Sequence, residues 1–317
     1  MSEISNNTKF LHVIEMGLGA WQWGDRFFWG YGKAHTDIEI RAVFDAAFDA
    51  ALGLGVRFVD TAEIYGSGYS ERLLGKFLKE TGRPVLTATK FFPWPWRFTS
   101  GFIPRALRAS LARLGLDAVD LYQIHWPSPF LSVETMMDGL AECVKNGGAR
   151  TVGVSNFDEL RMIRAYTTLA RHGIPLAANQ VHYSLLRREV EKNGTLARCK
   201  ELGIRLIAYS PLEMGLLTGK YSPTMPPAGI RRVQYAELIK KIPPLIKLMQ
   251  DIGLTHGDKT VAQVALNWVI CKGALPIPGA KNAAQAEQNA GGAGWRLTDD
   301  EVAHLDEAAD KVYAVKG

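Results

Sequence analysis

The chain has 317 residues, 47% of them hydrophobic and 22% charged, an ordinary globular balance, and no apolar run reaches the ~20 residues that a membrane-spanning helix needs. The net charge of +5 is scattered without a basic block, which leaves no footprint for nucleic acid. The 3 cysteines, Cys143, Cys199 and Cys271, are far apart and odd in number, and the first residues, MSEISNN, lack the basic start and apolar core of a signal peptide; a reduced, cytoplasmic protein without a metal site is expected.

Short apolar runs alternate with amphipathic stretches about eight times. The first strand is the least marked and is placed at Gly17, Leu18 and Gly19 or just before. A helix follows, with Ile40, Val43, Phe44, Ala47, Phe48 and Ala51 on one face and a capping box between Thr36 and Glu39 at its start. The next strands begin near Val56, Val85, Val119, Thr151, Ala177, Ile204 and Leu275. The stretch FFPWPWRF, residues 91–98, predicts a stiff aromatic loop. Val133, Met136, Met137, Leu140 and Val144 stripe a helix whose methionines read as core filler. Residues 213–244 hold Pro223, Pro226, Pro227, Pro243 and Pro244 and read as a long loop after the seventh strand, either a functional lid or a disordered segment. Thr260 with Gln263, and Thr298 with Glu301, mark two more capped helices.

Strand–helix alternation predicts parallel pairing, because a helix must return the chain between parallel neighbours. Eight units in ~300 residues predict a closed (β/α)8 TIM barrel, one domain spanning residues 1–317, with long loops at the C-terminal face. Gly17 and Gly19 match the first two glycines of a dinucleotide-binding turn, but Gln22 stands at the third, so Rossmann-type binding is not expected.

Three strand-like runs end in or near ionisable residues: Asp60, Lys90 and His125. Tyr65 follows Asp60 by five positions. Barrel enzymes assemble their chemistry at such strand ends. A phenol with an ordinary pKa of about 10 needs help to give up a proton at neutral pH. The expectation is that Asp60 keeps Lys90 charged and Lys90 lowers the pKa of Tyr65. His125 would orient a carbonyl or assist the proton's path. Singly, each residue has a plainer reading: a structural ion pair, a satisfied histidine, a packed tyrosine. Four at successive strand ends point to chemistry.

The segment GVRFVDTAEIYGSGYSE (residues 55–71), Lys90 after TAT, His125 in DLYQIHW and the fifth-strand motif at Gly153, Val154, Ser155, Asn156 and Phe157 resemble the aldo-keto reductase superfamily, over nearly the whole chain. The ending, IPGAKN and GWRL, is similar to the branch found in plants and photosynthetic bacteria. The resemblance implies NADP(H)-dependent reduction of aldehydes or ketones to alcohols, with Asp60, Tyr65, Lys90 and His125 as the catalytic set. It implies NADP(H) across the barrel mouth, touching Gly19, Ala20 and Trp21. Ser155, Asn156 and Gln180 would hold the carboxamide, and Tyr209 would stack on the nicotinamide. Ser210, Pro211, Leu212, Gly215 and Lys220 would form a loop over the pyrophosphate. Gly279, Lys281, Gln285, Gln288 and Asn289 would surround the adenosine phosphate, with Lys281 on the 2′-phosphate. Gln288 departs from the family's usual glutamate. Without the resemblance, Ser155 and Asn156 read as a helix cap before Asp158, Gln180 and Tyr209 as buried packing, and Lys220 as a solvated lysine.

Trp23, Trp94, Trp96 and Trp126, with Trp21 and Tyr183, follow strand ends and predict an aromatic wall for flat or apolar carbonyl compounds. Trp29 either joins it or covers the barrel. Pyridoxal, small reactive aldehydes and sugar-derived aldehydes are all open as substrates, and no interface pattern gives an oligomeric state. Two other classes remain. One is a cofactor-binding regulatory subunit resembling potassium-channel β subunits, which carry Asn where this chain has His125. The other is an aldolase with Lys90 as Schiff base, which a salt bridge to Asp60 disfavours.

Overall fold

The computed structural model describes residues 8–50, 57–227 and 229–314. Eight parallel strands pair in sequence order: β1 (Leu18–Gly19), β2 (Phe58–Asp60), β3 (Leu86–Phe91), β4 (Val119–Ile124), β5 (Ala149–Ser155), β6 (Leu176–His182), β7 (Arg205–Tyr209) and β8 (Leu275–Ile277). Helices alternate with the strands, as the sequence predicts. Ala51, Gly55, Val56 and the MSEISNN start lie outside the described residues.

The ring closes between β8 and β1 through two hydrogen bonds. The amides of Gly17 and Gly19 donate to the carbonyls of Pro276 and Pro278, at 3.0 and 3.1 Å. A proline has no amide to give, so on this side β8 acts only as an acceptor.

Side chains alternate across each strand, so residues two apart share a face. Phe58, Ala88, Leu121, Ala178 and Ile207 meet inside the barrel, with Leu11 of helix Phe10–Val13 in the same cluster. Two residues further along their strands stand Asp60, Lys90, Gln123, Gln180 and Tyr209. An apolar layer therefore supports a polar one at the C-terminal face. The opposite faces pack outward under the helices, where the stripe of Val133, Met136, Met137 and Leu140 is buried in the larger core.

Local signals explain most helix starts. The capping boxes at Thr260 and Thr298 close in both directions. Glu39 accepts the Thr36 amide at 2.8 Å. Asp158 caps helix Glu159–Arg171 by accepting from the Arg161 amide at 2.8 Å, so Ser155 and Asn156 are not its cap. Residues 213–244 are not one long loop. They hold a tight turn at Glu213–Thr218 and two short helices, Ile230–Gln234 and Ala236–Lys241. Pro243 opens helix Pro243–Thr255 at a position where a missing amide costs nothing. Among the described residues no helix is long and apolar enough to cross a membrane.

A methyl group on Gly19 would lie 2.8 Å from the Ile277 carbonyl oxygen, across the closing seam. Gly19→Ala should therefore destabilise the fold by about 1–3 kcal/mol, the usual cost of overpacking, as measured by urea unfolding.

Candidate active site

Lys90, buried in β3, has no exposed surface. Its ammonium forms a salt bridge with Asp60 at the end of β2 and donates to the Thr61 carbonyl at 2.9 Å. A third bond, at 3.5 Å, reaches the Tyr65 hydroxyl. The second oxygen of Asp60 accepts from Gln180 at 2.8 Å and from Gln123 at 3.3 Å. The carboxylate thus ties together β2, β3, β4 and β6. Tyr65 opens a short turn after β2 in which Gly66 and Ser67 adopt left-handed backbone. His125 follows β4, its amide held by the Phe91 carbonyl at 2.9 Å. Its ring meets that of Tyr65 edge-on at 5.6 Å.

The protonation pattern differs from the sequence expectation. Burial, reinforced by the negative charge of Asp60, raises the Tyr65 phenol well above 10. The Lys90 ammonium, 3.5 Å away, does not overcome these two effects. Burial lowers the pKa of Lys90, while Asp60 and Glu71 oppose that fall. Burial, then the charge of Lys90, holds His125 well below 6.5, so its imidazole is neutral. The site at neutral pH is a protonated phenol and an uncharged imidazole above a buried ion pair.

These groups sit in a cavity of about 840 Å³ at the C-terminal face. Asp60, Tyr65, His125 and Trp126 line it; Lys90 lies just beneath. Every residue that the sequence suggests for the cofactor lines it too: Gly19, Ala20, Trp21, Ser155, Asn156, Gln180, Tyr209, Ser210, Pro211, Leu212, Gly215, Lys220, Gly279, Lys281, Gln285, Gln288 and Asn289. Asn156, itself at φ 62°, accepts from the Tyr209 hydroxyl at 3.0 Å and donates to the His125 carbonyl at 3.1 Å. Ser155 donates to the Gln180 carbonyl at 2.8 Å.

The aromatic wall is only partly as expected. Trp21 and Trp126 line the cavity, and Trp29 joins them. Trp23 does not: its side chain is fully buried against Phe77, in a turn where its amide donates to the Ala20 carbonyl. Tyr183 is likewise buried, bonded to Glu191. Trp94 and Trp96 stack on each other 5.1 Å apart, outside the lining. Their loop is pinned by Glu63, which accepts the Phe92 amide and pairs with Arg97.

Residues 15–310 match the Aldo/keto reductase family. The chain belongs to that family. It is 42% identical to the chloroplastic pyridoxal reductase of Arabidopsis thaliana, over 94% of this chain and 84% of that protein. Its fold matches a glycerol dehydrogenase from Gluconobacter oxydans with a TM-score of 0.80 at 26% identity, over 94% of this chain and 92% of the other. It matches an aldo/keto reductase from Klebsiella pneumoniae, solved in complex with NADP and acetate, with a TM-score of 0.71 at 27% identity, over 92% and 90%. The chain is an oxidoreductase of the carbonyl-reducing kind.

In and beneath the aldo/keto reductase cavity stand residues that sequence reasoning missed. Gln123 supports Asp60 and was hidden in a buried strand run. Arg231, from helix Ile230–Gln234, lines the cavity with Lys220 and Lys281. Arg231 and Lys281 both lie over the Trp29 ring, 5.6 and 4.8 Å from its centre. Among the described residues none of the three cations has an acidic partner within ion-pair distance. Burial, then the charges of Arg231 and Lys220, lowers the pKa of Lys281. Such a cluster suits a polyanionic ligand.

His125 also gives a testable linkage. Its folded pKa is depressed, so the unfolded chain binds its proton first as pH falls below about 6.5. Stability therefore drops on acidification through that range. His125→Asn should reduce this slope by up to one proton, roughly 1.4 kcal/mol per pH unit, in urea unfolding between pH 5 and 7.

Proposed function

We propose that this aldo/keto reductase reduces aldehydes or ketones with NADPH and that Tyr65 supplies the proton. One arrangement carries the reading: the buried Asp60–Lys90 pair reaches the Tyr65 hydroxyl beneath the same cavity that gathers the three cations Lys220, Arg231 and Lys281. The cavity suits the cofactor chemically. Lys220, Arg231 and Lys281 would meet its phosphates, with Lys281 on the 2′-phosphate, and Asn156 and Gln180 offer amides for a carboxamide. Bound there, the cofactor supplies hydride to the carbonyl carbon.

The protein's part is to manage the oxygen. Tyr65 is held as a phenol, so it arrives at the reaction loaded. Negative charge grows on the carbonyl oxygen as the carbon is reduced, and Tyr65 passes its proton to that oxygen. The Lys90 ammonium stabilises the phenolate that remains, an interaction that strengthens only as the proton moves. Neutral His125 can direct an N–H towards the same oxygen without competing as a strong acid. Lys90 itself is buried and bonded to Asp60, a poor state for Schiff-base formation.

Trp21 and Trp126 at the cavity support flat aromatic aldehydes, and the similarity to a plant pyridoxal reductase makes pyridoxal the first compound to assay. With pyridoxal and simple aromatic aldehydes, Tyr65→Phe should lower kcat by about 10²–10⁴-fold and leave NADPH affinity unchanged. Near wild-type turnover would remove Tyr65 from its role. Lys281→Ala should weaken NADPH about tenfold or more and NADH far less, measured by fluorescence titration. Equal losses for both would rule out the 2′-phosphate contact.

A further inference from the structure

We propose that Glu213 is a positioning residue for the nicotinamide end of the cofactor. The proposal rests on the reading that this cavity takes NADP(H). Glu213 is a carboxylate with only 2% of its surface exposed. It sits just past β7, where Ser210, Glu213 and Met214 take φ values of 50°, 46° and 51°, followed by Gly215 at 96°. Left-handed backbone at three non-glycine residues is strained and persists only when the surroundings hold it. The side chain of Glu213 supplies that hold.

One of its oxygens accepts from His182 at 2.9 Å and from Ser184 at 3.1 Å. The other accepts from the Tyr235 hydroxyl at 3.4 Å and lies 3.9 Å from the Arg187 guanidinium. A single buried carboxylate thereby joins the end of β6, the turn after it and the helical segment around Tyr235 to the turn at Glu213–Thr218.

His182 transmits this to the site. Its ring stacks on Tyr209, with centres 5.1 Å apart and planes 26° from parallel, and both residues line the cavity. Tyr209 in turn bonds to Asn156, which bonds to the His125 carbonyl. A planar ring resting on the face of Tyr209 that His182 leaves free would take its tilt from that stack. Hydride transfer is sensitive to such tilt, because small displacements of reacting atoms change rates strongly. Glu213 touches neither cofactor nor substrate in this account; it fixes the surface that does.

The test uses Glu213→Ala and Glu213→Gln in the full chain. NADPH and NADH affinities are read by fluorescence titration, and kcat and KM by an aromatic aldehyde assay. Thermal unfolding is followed with and without NADPH. Glu213→Ala should raise the Kd for NADPH about tenfold or more, since hydrogen bonds to a buried charge are lost, and should lower kcat. The aldehyde KM should move little. Glu213→Gln keeps the shape and part of the bonding and should fall between. A folded Glu213→Ala with wild-type Kd and kcat, losing only thermal stability, would overturn the proposal. If the alanine variant does not fold, Glu213→Gln with wild-type Kd and kcat overturns it equally. A wild-type protein that bound neither NADPH nor NADH would bring down the cofactor reading and this one with it; wild-type binding with unchanged variants removes Glu213 alone.

Discussion

The buried pair of Asp60 and Lys90 is the constraint on which the site is built. Isolated charges in a protein interior are expensive, and two of them are tolerable only when they satisfy each other and their remaining valences. Here the remaining valences are filled by Thr61, Gln123, Gln180 and Tyr65. These partners come from several strands, so the barrel must close correctly before the charges are paired. The apolar layer of Phe58, Ala88 and Leu121 beneath them keeps the pair dry and its strands in register.

That dry floor sets the protonation of the groups above it. A cation beside a phenol is expected to make it acidic, yet here burial and Asp60 keep Tyr65 protonated. The Lys90 ammonium at 3.5 Å does not overturn that balance. The same burial leaves His125 uncharged, so the floor carries an ion pair with no net charge while the cavity above it gathers Lys220, Arg231 and Lys281. The two regions differ in kind, one a balanced ion pair and the other suited to several fixed negative charges.

The barrel was legible because its signals are periodic. Strand starts near Val85, Val119 and Leu275 fall within a residue of those observed, since apolar alternation and helix caps act locally. The ionisable strand ends were legible for the same reason: a residue's place on a strand decides whether it faces the barrel interior. The aromatic residues beyond the strands were harder. Trp21 and Trp23 are two positions apart in one turn without a regular period, yet Trp23 packs in the core while Trp21 lines the cavity. Trp94 and Trp96 follow their own stacking and the Glu63–Arg97 clasp. Arg231 and Glu213 lay in a proline-rich stretch without clear period, where tertiary contacts alone decide which side chains turn inward. Gln123 read as one more residue of a buried strand because its partner, Asp60, is 63 positions away.

The seam between β8 and β1 has a consequence for watching the barrel breathe. Pro276 and Pro278 carry no exchangeable hydrogen, so the closing contact can be followed only through the amides of Gly17 and Gly19. Deuterium uptake at those two glycines would therefore report rupture of the ring at its thinnest join. Because Gly19 also borders the cavity, a ligand that clamps the mouth would be registered by the same two protons.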